Sequence, residues 1–253
     1  MADHSLRAVI CDIDGVLLHD NQAIDGAPGF VSRLREQGNP LVLLTNYPSQ
    51  TAGDLQNRLA ASGFDVAPEN FYTSAMATAD FLAAQDGRKA FVVGEGGLTK
   101  ELYDVGFTIT DIDPDFVVVG ETRSYNWDMI QKAAYFIMQG ARFIATNPDV
   151  AGPRGFPACG ALCAPIERIT GKEPLYMGKP QAWMMRSALN RLGAHSENAI
   201  IIGDNMQTDI LAGIQSGVET VLVLSGVSQT ADLPRYPYRP HHVFERVAEV
   251  DIV

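Results

Sequence analysis

Short runs of almost uninterrupted apolar, β-branched residues recur along this chain, at 7–11, 41–45, 90–93, 116–119, 142–145, 199–202 and 220–224. Each is too short for a helix and lacks a polar alternation, so each reads as a strand covered on both faces. Amphipathic stretches separate them, at 29–37, 51–62, 127–139, 181–192 and 209–216. Strands buried on both faces and joined by helices imply a parallel sheet with right-handed crossovers. The expected class is α/β, with a Rossmann-like parallel sheet.

The residues with chemical potential fall in the first and last thirds of the chain. Between them, from about 87 to 176, runs a separate β-α-β-β-α-β series. The expected organisation is a discontinuous core, 1–80 and 177–253, with an α/β domain inserted at 81–176. A closed eight-fold barrel would suit the length of 253 residues, but not the irregular spacing.

Charge narrows the partners. Lys and Arg total 19 against 30 Asp and Glu, a formal charge of -11, with no basic stripe to displace counterions from a nucleic-acid polymer. An acidic protein can still bind a small anion, provided it does so with local devices such as a metal, a lysine or backbone amides. No apolar run approaches the length needed to span a bilayer, and residues 1–7 lack the apolar core of a signal peptide. Cys11, Cys159 and Cys163 have neither framework nor zinc-site spacing. They read as reduced, buried small hydrophobes, and the expected location is the cytoplasm.

Four segments carry the chemistry. The first strand ends in Asp12-Ile-Asp14-Gly15, two carboxylates at the carboxyl end of a buried strand, where open α/β sheets bind ligands. Residues i and i+2 share a face of a strand, so the two acids repel unless a cation intervenes. A calcium loop would need further acids downstream, and Leu17 and Leu18 break that pattern. Solvated turn aspartates are the plain alternative.

The second strand ends in Thr45-Asn46, a hydroxyl and an amide able to donate to phosphate oxygens or simply to make a turn. Lys179 lies between Gly178 and Pro180, just before a helix, where it is either a surface lysine or a compact cation offered to an anion. Finally Gly203-Asp204-Asn205-Met206-Gln207-Thr208-Asp209 follows another buried strand. Asp204 matches the strand-end position of Asp12, and Asp209 could be an ordinary helix cap.

Together, and in this order, the four segments resemble the haloacid dehalogenase superfamily. The runs 120–128, 145–149, 157–163 and 225–227 extend the resemblance through the insertion, and nearly the whole chain is similar to the NagD-type nucleotide phosphatases with a large α/β cap. The resemblance implies Asp12 as nucleophile and Asp14 as general acid and base. It implies Mg²⁺ held by Asp12, the main-chain carbonyl of Asp14, and Asp204, with Asp209 behind them or as an auxiliary ligand. Thr45, Asn46 and Lys179 would bind phosphoryl oxygens, and Asn205, Met206, Gln207 and Thr208 would line the same site.

The implied substrate is a small phosphate ester, a nucleoside 5′-monophosphate such as UMP. Phosphate monoesters hydrolyse very slowly in water, and a carboxylate nucleophile divides one displacement into two easier ones. Asp14 would then be protonated when it meets the leaving oxygen, so its surroundings are expected to raise its pKa from about 3.9. An acid at that position also favours esters over the substrates of related dehalogenases, which need no proton donor there.

Substrate choice falls to the insertion. Asn147, Asp149 and the backbone of Gly160 and Ala161 are candidates for leaving-group contacts, and the loop through Arg154 is where such choice would vary. Tyr125 and Trp127, beside Arg123, are read as core packing rather than as a stacking platform. The Gly94-Glu-Gly96-Gly97 run lacks the third glycine of a dinucleotide fingerprint. Rival readings are a phosphatase for sugar phosphates or pyridoxal phosphate and, from another class, a phosphoacceptor signalling receiver. A receiver is about half this length and places its lysine last, whereas Asp204 follows Lys179.

Overall fold

A computed structural model of the chain describes residues 6–152 and 155–252 and resolves them into two compact units. Among the described residues, one comprises 6–45, 52–72 and 179–252; the other comprises 46–51, 73–152 and 155–178.

The first unit is built on a six-stranded sheet. Its order is His242–Phe244, Glu219–Val223, Ala199–Gly203, Ala8–Cys11, Leu41–Thr45 and Phe71–Thr73. Ala8–Cys11 is central and pairs in parallel on both sides, with Cys11 level with Ile202 on one flank and Leu43 on the other. The chain fills the sheet outward from this strand in one direction, then returns to fill it in the other. That reversal opens a crevice at the carboxyl ends of the central strands, the usual ligand position in such sheets.

All four residues of the central strand are buried, as the uninterrupted AVIC run demands. Because successive side chains alternate, Val9, Cys11, Ile200 and Ile202 join one face. They pack against Phe30 and Leu34 of the helix Ala27–Gln37 and against Leu55 and Leu59 of the helix Ala52–Ala60. Burying each such side chain stabilises the fold by roughly 1.5–3 kcal/mol, which makes these strands the rigid part of the unit.

The second unit has its own five-stranded parallel sheet, ordered Leu175–Tyr176, Arg142–Ala145, Phe116–Val119, Lys89–Val93 and Thr108–Ile109. Phe136 and Ile137 of the helix Trp127–Gln139, and Cys163 and Ile166 of the helix Cys159–Thr170, cover it. Asn126 caps the first of these helices by accepting from the Met129 N–H.

A boundary at residue 80 would fall inside the helix Ser74–Ala83. The structure groups that helix with the second unit, together with 46–51. The Ser74 hydroxyl donates to the Asn46 carbonyl, and the Gly97 N–H donates to the Ser49 carbonyl at 3.0 Å, so both segments are tied to the insertion. Phe71–Thr73 and Thr108–Ile109 were not among the expected strands, and two further elements had no strand signal in the sequence. One is the hairpin Leu18–His19/Gln22–Ala23, turned by Asp20 and Asn21 at φ 47 and 66. The other is the edge strand His242–Phe244, whose first two residues are exposed. Among the described residues, no helix is long and apolar enough to cross a membrane.

Candidate active site

The parallel register brings the strand-end residues of the first unit together. Asp12, Thr45 and Asp204 each leave the sheet within two residues of the line through Cys11, Leu43 and Ile202. The Asp12 N–H still donates to the Ile202 carbonyl at 2.9 Å, so the backbone of Asp12 belongs to the rigid sheet, and its side-chain Oδ1 accepts from the Ile13 N–H at 2.8 Å.

Lys179 enters this group from the start of the helix Ala182–Leu192 and is only 2% exposed. Its Nζ lies 2.9 Å from Asp12 Oδ1 and 2.7 Å from Asp209 Oδ1, and donates to the Leu44 carbonyl at 3.3 Å. A buried lysine would ordinarily lose its proton; here burial works in that direction, but Asp12 and Asp209 outweigh it and hold the pKa above its usual value. Lys179 is therefore a fixed cation, and the reading as a surface lysine is excluded.

Asp204 and Asp209 are presented by a tight turn. Gly203 ends its strand so close to Asp209 that a Cβ there would lie 2.1 Å from the Asp209 Cβ. A π-helical turn, Met206–Ile210, then leads into the helix Leu211–Ser216, a distortion often found at functional sites. Asp209 is completely buried and accepts from the Asn205 N–H at 3.2 Å and the Thr208 hydroxyl at 3.3 Å. Asp204 Oδ2 accepts from the Val227 N–H at 2.7 Å.

One carboxylate oxygen from each of Asp12, Asp204 and Asp209 lies within 4.8 Å of the others. Burial raises the pKa of Asp12 well above the usual range; Lys179 pulls it down, while Asp209 and Asp204 push it up. Burial and the Asp209 charge likewise push Asp204 up to about 7, against the pull of the Val227 N–H. Two buried acids and the half-buried Asp12 thus share one lysine. Their excess negative charge and hard oxygen donors suit a divalent cation such as Mg²⁺.

Not every expected residue takes its expected place. The Asp14 side chain, expected as general acid and base with only its main-chain carbonyl toward the metal, places Oδ1 2.5 Å from the Arg58 guanidinium. Met206 turns its side chain into an apolar cluster with Ile210 and Leu222. Its N–H is engaged by the Ser228 hydroxyl and its carbonyl by the Tyr238 hydroxyl, leaving no donor for phosphate. Gln207 is exposed, and the Asn205 side chain accepts from the Gln207 N–H at 2.9 Å. Thr45 and Thr208 are buried.

Asn46 belongs to the second unit, where its amide donates to Asp149 at 2.9 Å and its carbonyl accepts from buried Asn147 at 2.8 Å. Gly160 and Ala161 are not free backbone donors, since their N–H groups are taken by the Asp149 and Ala158 carbonyls at 2.8 and 3.0 Å. Tyr125 packs into the core of its unit and donates to the Leu162 carbonyl. Trp127 does not pack: it is 72% exposed. Arg154 lies outside the described residues.

Arg58 was missed in the sequence, and the run 225–227 was read only as part of the family resemblance, without its role beside Asp204. The Ser225 hydroxyl holds the Gly15 carbonyl at 2.7 Å, and Gly226 lies against the Asp204 carboxylate. Arg58 had no signal beyond a basic residue in the last turn of a helix.

Residues 9–108 match the family model described as haloacid dehalogenase-like hydrolase, and 176–250 match a second model described as HAD-hydrolase-like. The chain is 62% identical over 249 residues to the ribonucleotide monophosphatase NagD of Escherichia coli K12, covering 98% of this chain and 100% of that one. It is 48% identical to a dihydroxyacetone phosphatase of Corynebacterium glutamicum, covering 95% and 89% of the two chains. The solved structure of the E. coli K12 NagD superimposes with a TM-score of 0.95, covering 98% of this chain and 100% of that chain.

Proposed function

The chain belongs to the haloacid dehalogenase-like hydrolases, and from that premise we propose that it is a Mg²⁺-dependent phosphatase acting on nucleoside 5′-monophosphates through an aspartyl phosphate. The observation that carries the chemistry is the cluster itself: carboxylate oxygens of Asp12, Asp204 and Asp209 lie within 4.8 Å of one another, with Lys179 against Asp12 and Asp209. Such a site repels an incoming phosphate dianion unless a second cation joins it. Asp12 and Asp204, with Asp209 close by, would hold Mg²⁺. When bound, that ion offsets the repulsion between carboxylate and phosphoryl group and stabilises charge in the transition state.

The chain's own groups supply the rest. An Asp12 carboxylate oxygen attacks phosphorus as the bond to the ester oxygen breaks, and Asp14 delivers a proton to that leaving oxygen. Water then attacks the phosphorus of the aspartyl phosphate, Asp14 takes a proton from it, and inorganic phosphate leaves with Asp12 regenerated. Lys179 is placed to bind a phosphoryl oxygen, and Thr45 stands at the adjacent strand end. A reducing cytoplasm suits the three buried, unpaired cysteines.

The ribonucleotide specificity of the 62% identical relative favours a nucleotide over a sugar phosphate or pyridoxal phosphate. The 48% identical dihydroxyacetone phosphatase defines the competing class. The test is phosphate release from UMP and other nucleoside monophosphates, dihydroxyacetone phosphate, sugar phosphates and pyridoxal phosphate, with Mg²⁺ or EDTA, for wild type and Asp12→Asn. Magnesium-dependent release, fastest on a nucleotide and lost in Asp12→Asn, is the expected result. A sugar phosphate as the fastest substrate would retain the chemistry and overturn the specificity. No release from any ester would overturn both.

A further inference from the structure

Arg58 joins two points of the loop that follows the nucleophile. The chain leaves the central strand at Asp12, passes Asp14, and makes the two-residue hairpin turn at Asp20 and Asn21 before entering the first helix. Arg58, on the helix Ala52–Ala60, meets this excursion at both ends. One guanidinium nitrogen lies 2.5 Å from Asp14 Oδ1, while Nε donates to Asn21 Oδ1 at 2.7 Å. The Ser62 hydroxyl, just beyond the same helix, donates to the Asn21 carbonyl at 2.9 Å.

The brace has a firm footing. Leu55 and Leu59, either side of Arg58 on its helix, are fully buried in the core below the sheet. The Arg58 side chain is itself only 18% exposed, against 38% for Asp14. An ordinary surface ion pair holds two flexible side chains to one another and contributes little. This one holds a carboxylate and a hairpin tip to a rigid helix.

The hydrogen-bond chemistry makes the arrangement directional. A guanidinium has donors and no acceptor, so the Asp14 oxygen that faces Arg58 cannot carry a proton toward it. Oδ1 is held as the acceptor of that ion pair, and Oδ2 is the oxygen outside it. We infer that Arg58 is a positioning residue, which fixes Oδ1 of Asp14 and thereby presents Oδ2 as the oxygen that serves the leaving group. In that step the Oδ2–H bond breaks, the proton goes to the ester oxygen as its bond to phosphorus breaks, and the electron pair stays on the carboxylate. The inference rests on the assignment of Asp14 as proton donor in the phosphatase reading above.

Leaving groups separate this role from a structural one. A nucleoside 5′-alkoxide needs the proton, whereas p-nitrophenolate departs as a stable anion without it. The parameter kcat/KM covers only steps through leaving-group departure, so the later use of Asp14 as base does not enter. We would measure kcat/KM on UMP and on p-nitrophenyl phosphate for wild type, Arg58→Ala, Arg58→Lys and Asn21→Gly. The last change removes the brace to the turn while keeping a residue that accepts positive φ.

Arg58→Ala is expected to lose at least about tenfold on UMP and less than about threefold on p-nitrophenyl phosphate. Arg58→Lys should recover part of the UMP rate, and Asn21→Gly should show the same bias at smaller size. Equal losses on both esters, in an Arg58→Ala protein that melts like wild type, would overturn the inference alone. Should Arg58→Ala not fold, Asn21→Gly decides in its place, and an unbiased loss there would overturn the inference. Wild type inactive on both esters would overturn the phosphatase reading and the inference together.

Discussion

Lys179 Nζ lies 2.7 Å from Asp209 Oδ1, and neither side chain is more than 2% exposed. Removing one member of a buried pair leaves the other charge without compensation, which typically costs about 3–5 kcal/mol. Asp209→Ala would also strip the Asn205 N–H and the Thr208 hydroxyl of an acceptor. Each of Lys179→Met and Asp209→Ala should therefore destabilise by about 3 kcal/mol. The double variant should fall short of the sum by about 2 kcal/mol, because the pair is lost only once. Urea denaturation of the four proteins measures this, and additive losses would mean that the two residues act independently.

The carboxylate cluster should give the metal-free protein a pH-dependent stability. Burial and the Asp209 charge push the folded Asp204 up to about 7, from an ordinary value of 3.8. A raised folded pKa contributes stability that is complete below the unfolded value and is lost as pH rises through the folded one. Between about pH 4 and 7 the metal-free protein should thus lose a few kcal/mol from this group, by linkage of about 1.4 kcal/mol per unit. Mg²⁺ at pH 7.5 should raise the melting temperature again. Asp204→Asn should flatten the acid-to-neutral slope and abolish the response to Mg²⁺. A metal-free melting curve that rises steadily from pH 4 to 7 in wild type and variant alike would contradict the assignment.

Gly226 has no room for a side chain: a Cβ would come within 1.9 Å of Asp204 Oδ2. The adjacent Val227 N–H holds that same oxygen at 2.7 Å. Gly226→Ala must displace either the loop or the carboxylate, and the core of the unit lies elsewhere. Activity should fall by about two orders of magnitude, as expected for an ångström-scale displacement of a reacting group. The melting temperature without metal should change by only a few degrees. A variant with near-normal rate and normal Mg²⁺ dependence would show that the loop yields freely.

The sheet and the strand-end acids were legible because their signals are local. A run such as AVIC is a buried strand wherever it occurs, and Asp12 needs only its own strand to be placed. Asp204 and Lys179 were legible as members of an ordered set of motifs. Arg58 was not, because nothing in its helix distinguishes a solvated arginine from one that meets Asp14 across 44 positions. Gly226 failed for the same reason, since its constraint is another segment's carboxylate.

Met206 shows the opposite error. Its place in a motif suggested a ligand contact, but an apolar side chain beside Ile210 and Leu222 is drawn into their cluster. The Gly96–Gly97 run also had a packing explanation. A Cβ at Gly97 would lie 2.6 Å from the Pro48 carbonyl oxygen, and that contact could not be read from spacing.

Glu121 offers a test of the second unit on its own. Burial pushes its pKa up to about 7, the Asn147 hydrogen bond pulls it back, and Asp149 pushes it further up. Asn147 is fully buried and also donates to the Asn46 carbonyl, so it cannot turn to solvate an ionised Glu121 more fully. The stability from a neutral Glu121 is present below about 4.5 and lost as pH rises through 7. Glu121→Gln keeps the shape and an acceptor for Asn147 while removing the charge. It should stabilise the unit at pH 8.5 by on the order of 1–3 kcal/mol and change little at pH 4.5. Urea midpoints at the two pH values, followed by Trp127 fluorescence with Trp183 replaced by Phe, would measure the difference. A substitution that changes stability equally at both pH values would mean that the Glu121 pKa does not differ between the folded and unfolded protein, and that burial does not dominate its titration.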